Sequence, residues 1–181
     1  MRLDTSTGLV QPAEFVPSPN YDVRPAGVLI DVLVVHCISL PPGEFGGPYV
    51  EQLFCNRLTA TDHAYFSEIC HLKVSAHFFI NRTGGLTQFV PTHQRAWHAG
   101  QSALGDRGNV NDFSIGIELE GTDDSAFTDA QYETLTQLTK VLMAAYPQIR
   151  RTNLVPHSKI SKGRKTDPGA CFDWERFLQA L

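Results

Sequence analysis

His36 closes an aliphatic run, His157 follows Pro156, and Asp167 stands two residues after Lys165 and directly before Pro168. Distant in the chain, these side chains still make up a ligand set. Two imidazole nitrogens and one carboxylate oxygen hold zinc and leave its fourth position to water. An open position on a Lewis acid serves hydrolysis, whereas a purely structural zinc site has none. The residue before a proline is pushed toward extended geometry, and in an extended segment residues i and i+2 project to one side. Lys165 and Asp167 can therefore face one centre, the anion ligating and the cation beside it. A surface ion pair or a plain Asp-Pro turn would leave the same trace in the sequence.

The chain has seven histidines, and most of them read otherwise. His36 at a strand exit and His157 in a loop occupy places where scaffolds display ligands. His77, inside an apolar stretch, reads as a hydrogen-bonded core residue. His63, His71 and His93 have polar neighbours and read as surface residues. Trp97-His98-Ala99-Gly100 could form a flat wall for a sugar or peptide, or Trp97 could plug the core. Glu118 and Glu120 share a strand face with Gly116, which leaves room for a ligand. A carboxylate partly desolvated near a metal has its pKa raised and can act as a general base. Parity cannot choose between the two glutamates, and both could equally be solvated on an edge strand. Cys37 offers a rival nucleophile, although its strand parity is opposite to that of His36.

The elements that must position these groups follow from periodicity. Residues 28–36 read as a central strand, apolar on both faces, with Val32, Val34 and His36 on one side. A short helix is expected near Tyr49–Leu58. Val74–Ile80 and Leu86–Val90 read as strands joined by a hairpin at Asn81–Gly85, where glycine tolerates the required positive φ. Phe113–Glu120 alternates, with Ile115, Ile117 and Leu119 on the apolar face. Thr128 and Gln131 form a capping box for a helix running to Tyr146, which buries Leu135, Leu138 and Leu142 and stops at Pro147. Asp173 should cap a last helix carrying Trp174, Phe177, Leu178 and Leu181. Residues 1–26 show no sustained period and read as an irregular segment wrapped on the domain of residues 27–181. The expectation is an α/β (mixed α+β) fold, a central mixed sheet flanked by helices.

A length of 181 residues with 42% hydrophobic content suits one domain with a real core. A formal net charge of −4 offers no clustered basic face for nucleic acid or an anionic membrane. The four cysteines form no CxxC pair, which argues against a zinc ribbon or a redox motif. The N-terminus lacks a basic-then-apolar signal pattern, so the expected location is cytoplasmic, with reduced thiols.

Several segments together resemble one family: His36-Cys-Ile-Ser-Leu-Pro-Pro-Gly-Glu-Phe-Gly-Gly-Pro48, Val74–His77, Arg95–Gly100, Asn111–Gly121 and Arg164–Gly169. They are similar to the zinc amidases of the N-acetylmuramoyl-L-alanine type, which include phage amidases and the peptidoglycan recognition proteins. The resemblance implies one zinc ion per chain on His36, His157 and Asp167, with Glu118 rather than Glu120 as acid/base and Lys165 stabilising the oxyanion. It also implies a small-molecule muropeptide substrate, cut between (1,6-anhydro-)N-acetylmuramic acid and L-alanine during peptidoglycan recycling. Trp97, Tyr49, Lys73, Cys37 and His98 then become candidate substrate contacts, and the expected state is a monomer without nucleic-acid or membrane partners. Close members carry Asn where this chain has Cys37. A thiol cannot replace an amide's donor and acceptor pair, so contact with the sugar there would differ.

Overall fold

A computed structural model describes residues 1–181, with a six-stranded mixed sheet at its centre. In chain order the strands are β1 (Arg2–Asp4), β2 (Leu9–Gln11), β3 (Glu14–Phe15), β4 (Tyr21–Val23), β5 (Val32–Ile38), β6 (Phe78–Ile80), β7 (Leu86–Gln88), β8 (Gln94–Ala96), β9 (Ala103–Leu104), β10 (Arg107–Gly108), β11 (Ser114–Glu120) and β12 (Leu154–Pro156). The helices are α1 (Tyr49–Phe54), α2 (Phe66–Ile69), α3 (Asp129–Ala145), α4 (His157–Ile160) and α5 (Trp174–Gln179).

The sheet runs β12-β5-β11-β6-β7-β3. β12, β5, β11 and β6 are mutually parallel, while β7 turns back antiparallel to β6 through the expected hairpin. The carboxyl ends of four neighbouring strands thus open on one edge, the place where parallel sheets present ligand sites. Register sharpens the point. Glu118 pairs with His36, and Pro156 pairs with Val35, so the next residues on those two strands are His157 and His36.

One face of the sheet, carrying Leu33, Val35, Ile115, Ile117, Leu119, Phe78 and Ile80, packs against Leu135, Leu138 and Leu142 of α3 and Phe177 of α5. The opposite face carries Val32, Val34 and Val155 against Ala99, Val110 and Ile160. His36 shares the parity of this second, smaller cluster. Helix α3 begins with the expected reciprocal cap between Thr128 and Gln131, and Asp173 accepts a hydrogen bond from the Arg176 N–H to start α5. No helix is long and apolar enough to cross a membrane.

Several local readings change. The first 26 residues are irregular only in part: they hold β1 to β4, of two or three residues each, with β3 on the sheet edge and β4 paired to β8. Strands that short leave no period to detect. β5 starts at Val32 rather than Val28, and Val28 and Leu29 are exposed. α1 ends at Phe54, and residues 74–77 precede the strand rather than belonging to it. His157 sits not in a loop but at the first position of α4, directly after β12. β11 lies between β5 and β6, so neither Glu118 nor Glu120 stands on an edge strand.

Candidate metal centre

His36, buried to 1% exposure on β5, turns Nδ1 toward Asp167 Oδ2 at 3.3 Å and Glu118 Oε1 at 4.0 Å. His157, held by the start of α4, brings its own Nδ1 to 3.0 Å from the same Asp167 oxygen. One ligand atom from each of His36, His157 and Asp167 lies within 4.8 Å of the others. Two ligands bound at about 2.0–2.1 Å to a tetrahedral ion stand roughly 3.3 Å apart. The two measured nitrogen–oxygen separations suit that spacing.

The polar bookkeeping points the same way. Buried polar atoms ordinarily find hydrogen-bond partners, yet His36 Nδ1 and Glu118 Oε2 have none. The Nε2 of His157 faces the Ala99 carbonyl at 3.4 Å, which can only accept. A proton on that nitrogen leaves Nδ1 with its lone pair aimed at a carboxylate. Two imidazole lone pairs and one anion converging in a buried site call for a cation. The donor set fits a divalent ion, and His36, His157 and Asp167 are the residues able to hold it.

Electrostatics separates the charged groups. Burial lowers the His36 pKa to about 4 despite Asp167 beside it, so the imidazole is neutral, as a ligand must be. Burial alone would raise Asp167, but the His157 and His36 imidazoles beside its Oδ2 outweigh it and hold the carboxyl well below the usual range. Glu118 goes the other way: burial, reinforced by Asp167, pushes it well above the ordinary carboxylate value, with Lys165 opposing. Lys165 is exposed, and its charge reaches both Glu118 and His36. Glu120 is occupied elsewhere: its carboxylate accepts from the Gly46 N–H at 2.5 Å and the Arg82 N–H at 2.9 Å. The two glutamates therefore differ physically, one tying loops and one with a free oxygen at the centre.

A model of the family described as N-acetylmuramoyl-L-alanine amidase matches residues 26–170. The chain belongs to that family. Among amidases it is 54% identical over 170 residues to 1,6-anhydro-N-acetylmuramyl-L-alanine amidase AmpD of Salmonella typhimurium, across 94% of this chain and 90% of that one. A crystal structure of a selenomethionine derivative of AmpD matches with a TM-score of 0.96 and 51% identity, over 100% of this chain and 99% of that chain. The amidase AmiD from E. coli, in complex with its substrate anhydro-N-acetylmuramic acid-L-Ala-D-gamma-Glu-L-Lys, matches with a TM-score of 0.62 and 29% identity. That match covers 87% of this chain and 60% of the AmiD chain.

Around the centre of this amidase, the expected contact residues are placed unevenly. Trp97 is half-buried, and its indole N–H has no partner within the protein. Tyr49 is half-buried with its ring 4.7 Å from that of Phe66, and Lys73 is exposed. His98 is no flat wall: it is buried behind His36, with Nδ1 at 2.9 Å from His36 Nε2. The room expected beside Gly116 is filled by the His98 ring, which a Cβ at Gly116 would overlap. His77 is the core residue anticipated, its Nδ1 accepting from the Gly116 N–H at 3.0 Å and its Nε2 facing the Gln94 carbonyl at 3.1 Å. His71 and His93 are exposed, whereas His63 is partly covered beside Phe66.

The Cys37 thiol packs on the core side of β5 and lies 3.4 Å from Asp123 Oδ1, while the other Asp123 oxygen accepts from the Thr166 hydroxyl. This chain of contacts tethers the segment carrying Lys165 and Asp167. Burial raises the Cys37 pKa strongly, and an un-ionised thiol is a poor nucleophile, which disfavours the cysteine-hydrolase reading. Sequence reading missed Asp123, which carries no periodic signal, and Ser114, which parity could have put on the Glu118 face.

Proposed function

We propose that this chain hydrolyses the amide bond between 1,6-anhydro-N-acetylmuramic acid and L-alanine of muropeptides, in peptidoglycan recycling, using one zinc ion. The observation that carries the reading is the convergence of His36 Nδ1, His157 Nδ1 and Asp167 Oδ2 beside Glu118, a carboxyl held largely out of water. The names of its relatives supply the substrate class, since AmpD is a 1,6-anhydro-N-acetylmuramyl-L-alanine amidase and AmiD is seen with an anhydromuramyl peptide. Four free cysteines suit a reducing compartment such as the cytoplasm.

Zinc, when bound, would supply a Lewis acid that polarises the amide carbonyl and acidifies water in the site. The chain's own residues do the rest. Glu118, its pKa raised by burial and by Asp167, takes a proton from the attacking water and returns it to the leaving amine nitrogen. Lys165 presents a fixed positive charge to the carbonyl oxygen as negative charge develops there. Asp167 and the two imidazoles hold their lone pairs on one centre, and the half-buried Trp97 offers an apolar flank for the sugar. The products are the anhydromuramyl sugar and the free stem peptide.

The test is mass spectrometry of products from an anhydromuropeptide, run with zinc-loaded protein and again after chelation. Release of peptide with an intact N-terminal alanine, lost on chelation and restored by zinc, is the expected result. Cleavage at another bond, or unchanged turnover in metal-free protein, would overturn the assignment. The reducing-sugar counterpart, run alongside, reports how strictly the anhydro ring is required.

A further inference from the structure

His98 and Ser114 lie behind the proposed ligands and take no part in the chemistry above. Their contacts form an unbranched line. His36 Nε2 is 2.9 Å from His98 Nδ1, His98 Nε2 is 3.1 Å from Ser114 Oγ, and Ser114 Oγ is 2.7 Å from the Val110 carbonyl oxygen. We propose that His98 and Ser114 are positioning residues that fix which nitrogen of His36 carries its proton, holding Nδ1 bare for the cation.

The polarity of the line follows from its far end. A carbonyl oxygen has no hydrogen to give, and two oxygens do not approach to 2.7 Å without a proton between them. The Ser114 hydroxyl hydrogen must therefore point at Val110. Ser114 Oγ is left with lone pairs only, so His98 Nε2 must carry the hydrogen that joins them. His98 is buried and its polar contacts include no carboxylate, which makes it a neutral ring with one proton. Its Nδ1 is then bare and can only accept. His36 Nε2 supplies that hydrogen, and the single proton of a neutral His36 is thereby committed away from the centre. The remaining atom, His36 Nδ1, is the one that makes no hydrogen bond and faces Asp167 Oδ2 at 3.3 Å.

The surroundings hold the line rigid. Asn111 Oδ1 accepts from the backbone N–H groups of both His98 and Ala99, at 3.1 and 2.8 Å, which locks the loop bearing the ring onto the turn that supplies the Val110 carbonyl. On the other side Gly116 lets the His98 ring lie directly on the β11 backbone, where any side chain would collide with it. Metal-ligating imidazoles commonly depend on an outer partner for the second nitrogen, and losing it costs 10–100-fold in affinity or activity. Here the outer partner is itself an imidazole whose tautomer is set by a serine one step further out.

The inference rests on His36 being a ligand, so the test separates the two ideas. Imidazole nitrogen NMR of the intact, metal-free protein should show His36 and His98 both protonated on Nε2 and bare on Nδ1. Ser114→Ala leaves the Val110 carbonyl bonded to the Phe113 N–H, but it frees His98 to reverse. Protonation of His36 Nδ1 should then become detectable, and zinc affinity, read by chelator competition, should fall several-fold. His98→Phe keeps a ring but offers no acceptor, and its affinity should fall about 10–100-fold. His36 protonated on Nδ1 in the unmodified protein, or Ser114→Ala with unchanged tautomer and affinity, would overturn the relay. Failure of the unmodified protein to bind zinc would instead sink the metal reading, and the nitrogen spectra would still decide the relay on their own.

Discussion

Asp167 and Glu118 are both carboxylates within reach of His36, and their environments drive them to opposite protonation behaviour. Asp167 faces a nitrogen of both the His36 and His157 imidazoles and stays ionised; Glu118 has a buried oxygen with no partner and holds its proton more tightly. That divergence is the physical basis for giving one the role of ligand and the other that of proton carrier. Asp167→Ala should therefore release zinc, seen by metal analysis of the purified protein, and lose activity as a consequence. Glu118→Gln should keep a full equivalent of zinc while turnover falls by about 10²–10⁴. A Glu118→Gln enzyme at near-normal rate would remove that residue from the reaction. Sequence alone brought the argument close. Parity put Glu118 and Glu120 on one face but could not choose, because their difference lies in Gly46 and Arg82, whose backbone donors come from loops remote in the chain.

At the scale of elements, the site is assembled by register. Glu118 pairs with His36 and β12 ends opposite Val35, so His36, Glu118 and the start of α4 meet without any long loop to position them. The alternation of residues 113–120 and the capped pattern of α3 were legible, since each is a long run with one period. The four N-terminal strands were not, because pairing such as Glu14 with Thr87 is decided by a partner some seventy residues away. Gly116 shows how local a requirement can be: it reads as spare room, yet that room belongs to His98. Gly116→Ala should drive the His98 ring away from the sheet and cost about 1–3 kcal/mol, the usual penalty for overpacking a core. It should weaken zinc binding as well, because the displaced ring is the partner of His36. Urea unfolding and chelator competition on the same sample measure both effects, and a variant as stable and as tight as the parent would show that the ring can move freely.

Across the whole molecule, the polar interior makes stability depend on pH with a definite sign. Burial lowers the pKa of His77, His98 and, in metal-free protein, His36, whose value falls to about 4. An unfolded histidine titrates near 6.5. Above that pH the rings are neutral in both states, and the fold keeps its full stability. As the pH drops below about 6.5, the unfolded chain takes up protons that the folded rings refuse, so stability falls. Glu118 works in the opposite sense: its raised pKa means the folded state holds a proton that the unfolded chain has already released. That is one group against three, and the histidines win. Asp167, depressed in the fold, costs stability only at lower pH, below the ordinary carboxylate range. The metal-free protein should therefore lose about 1.4 kcal/mol per pH unit for each net proton taken up on unfolding. Urea midpoints at pH 7.0 and 5.5 in chelator should show a clear drop at the lower pH with an unchanged slope. An equal or higher midpoint at pH 5.5 would show that the buried rings do not outweigh Glu118, and would overturn the predicted sign.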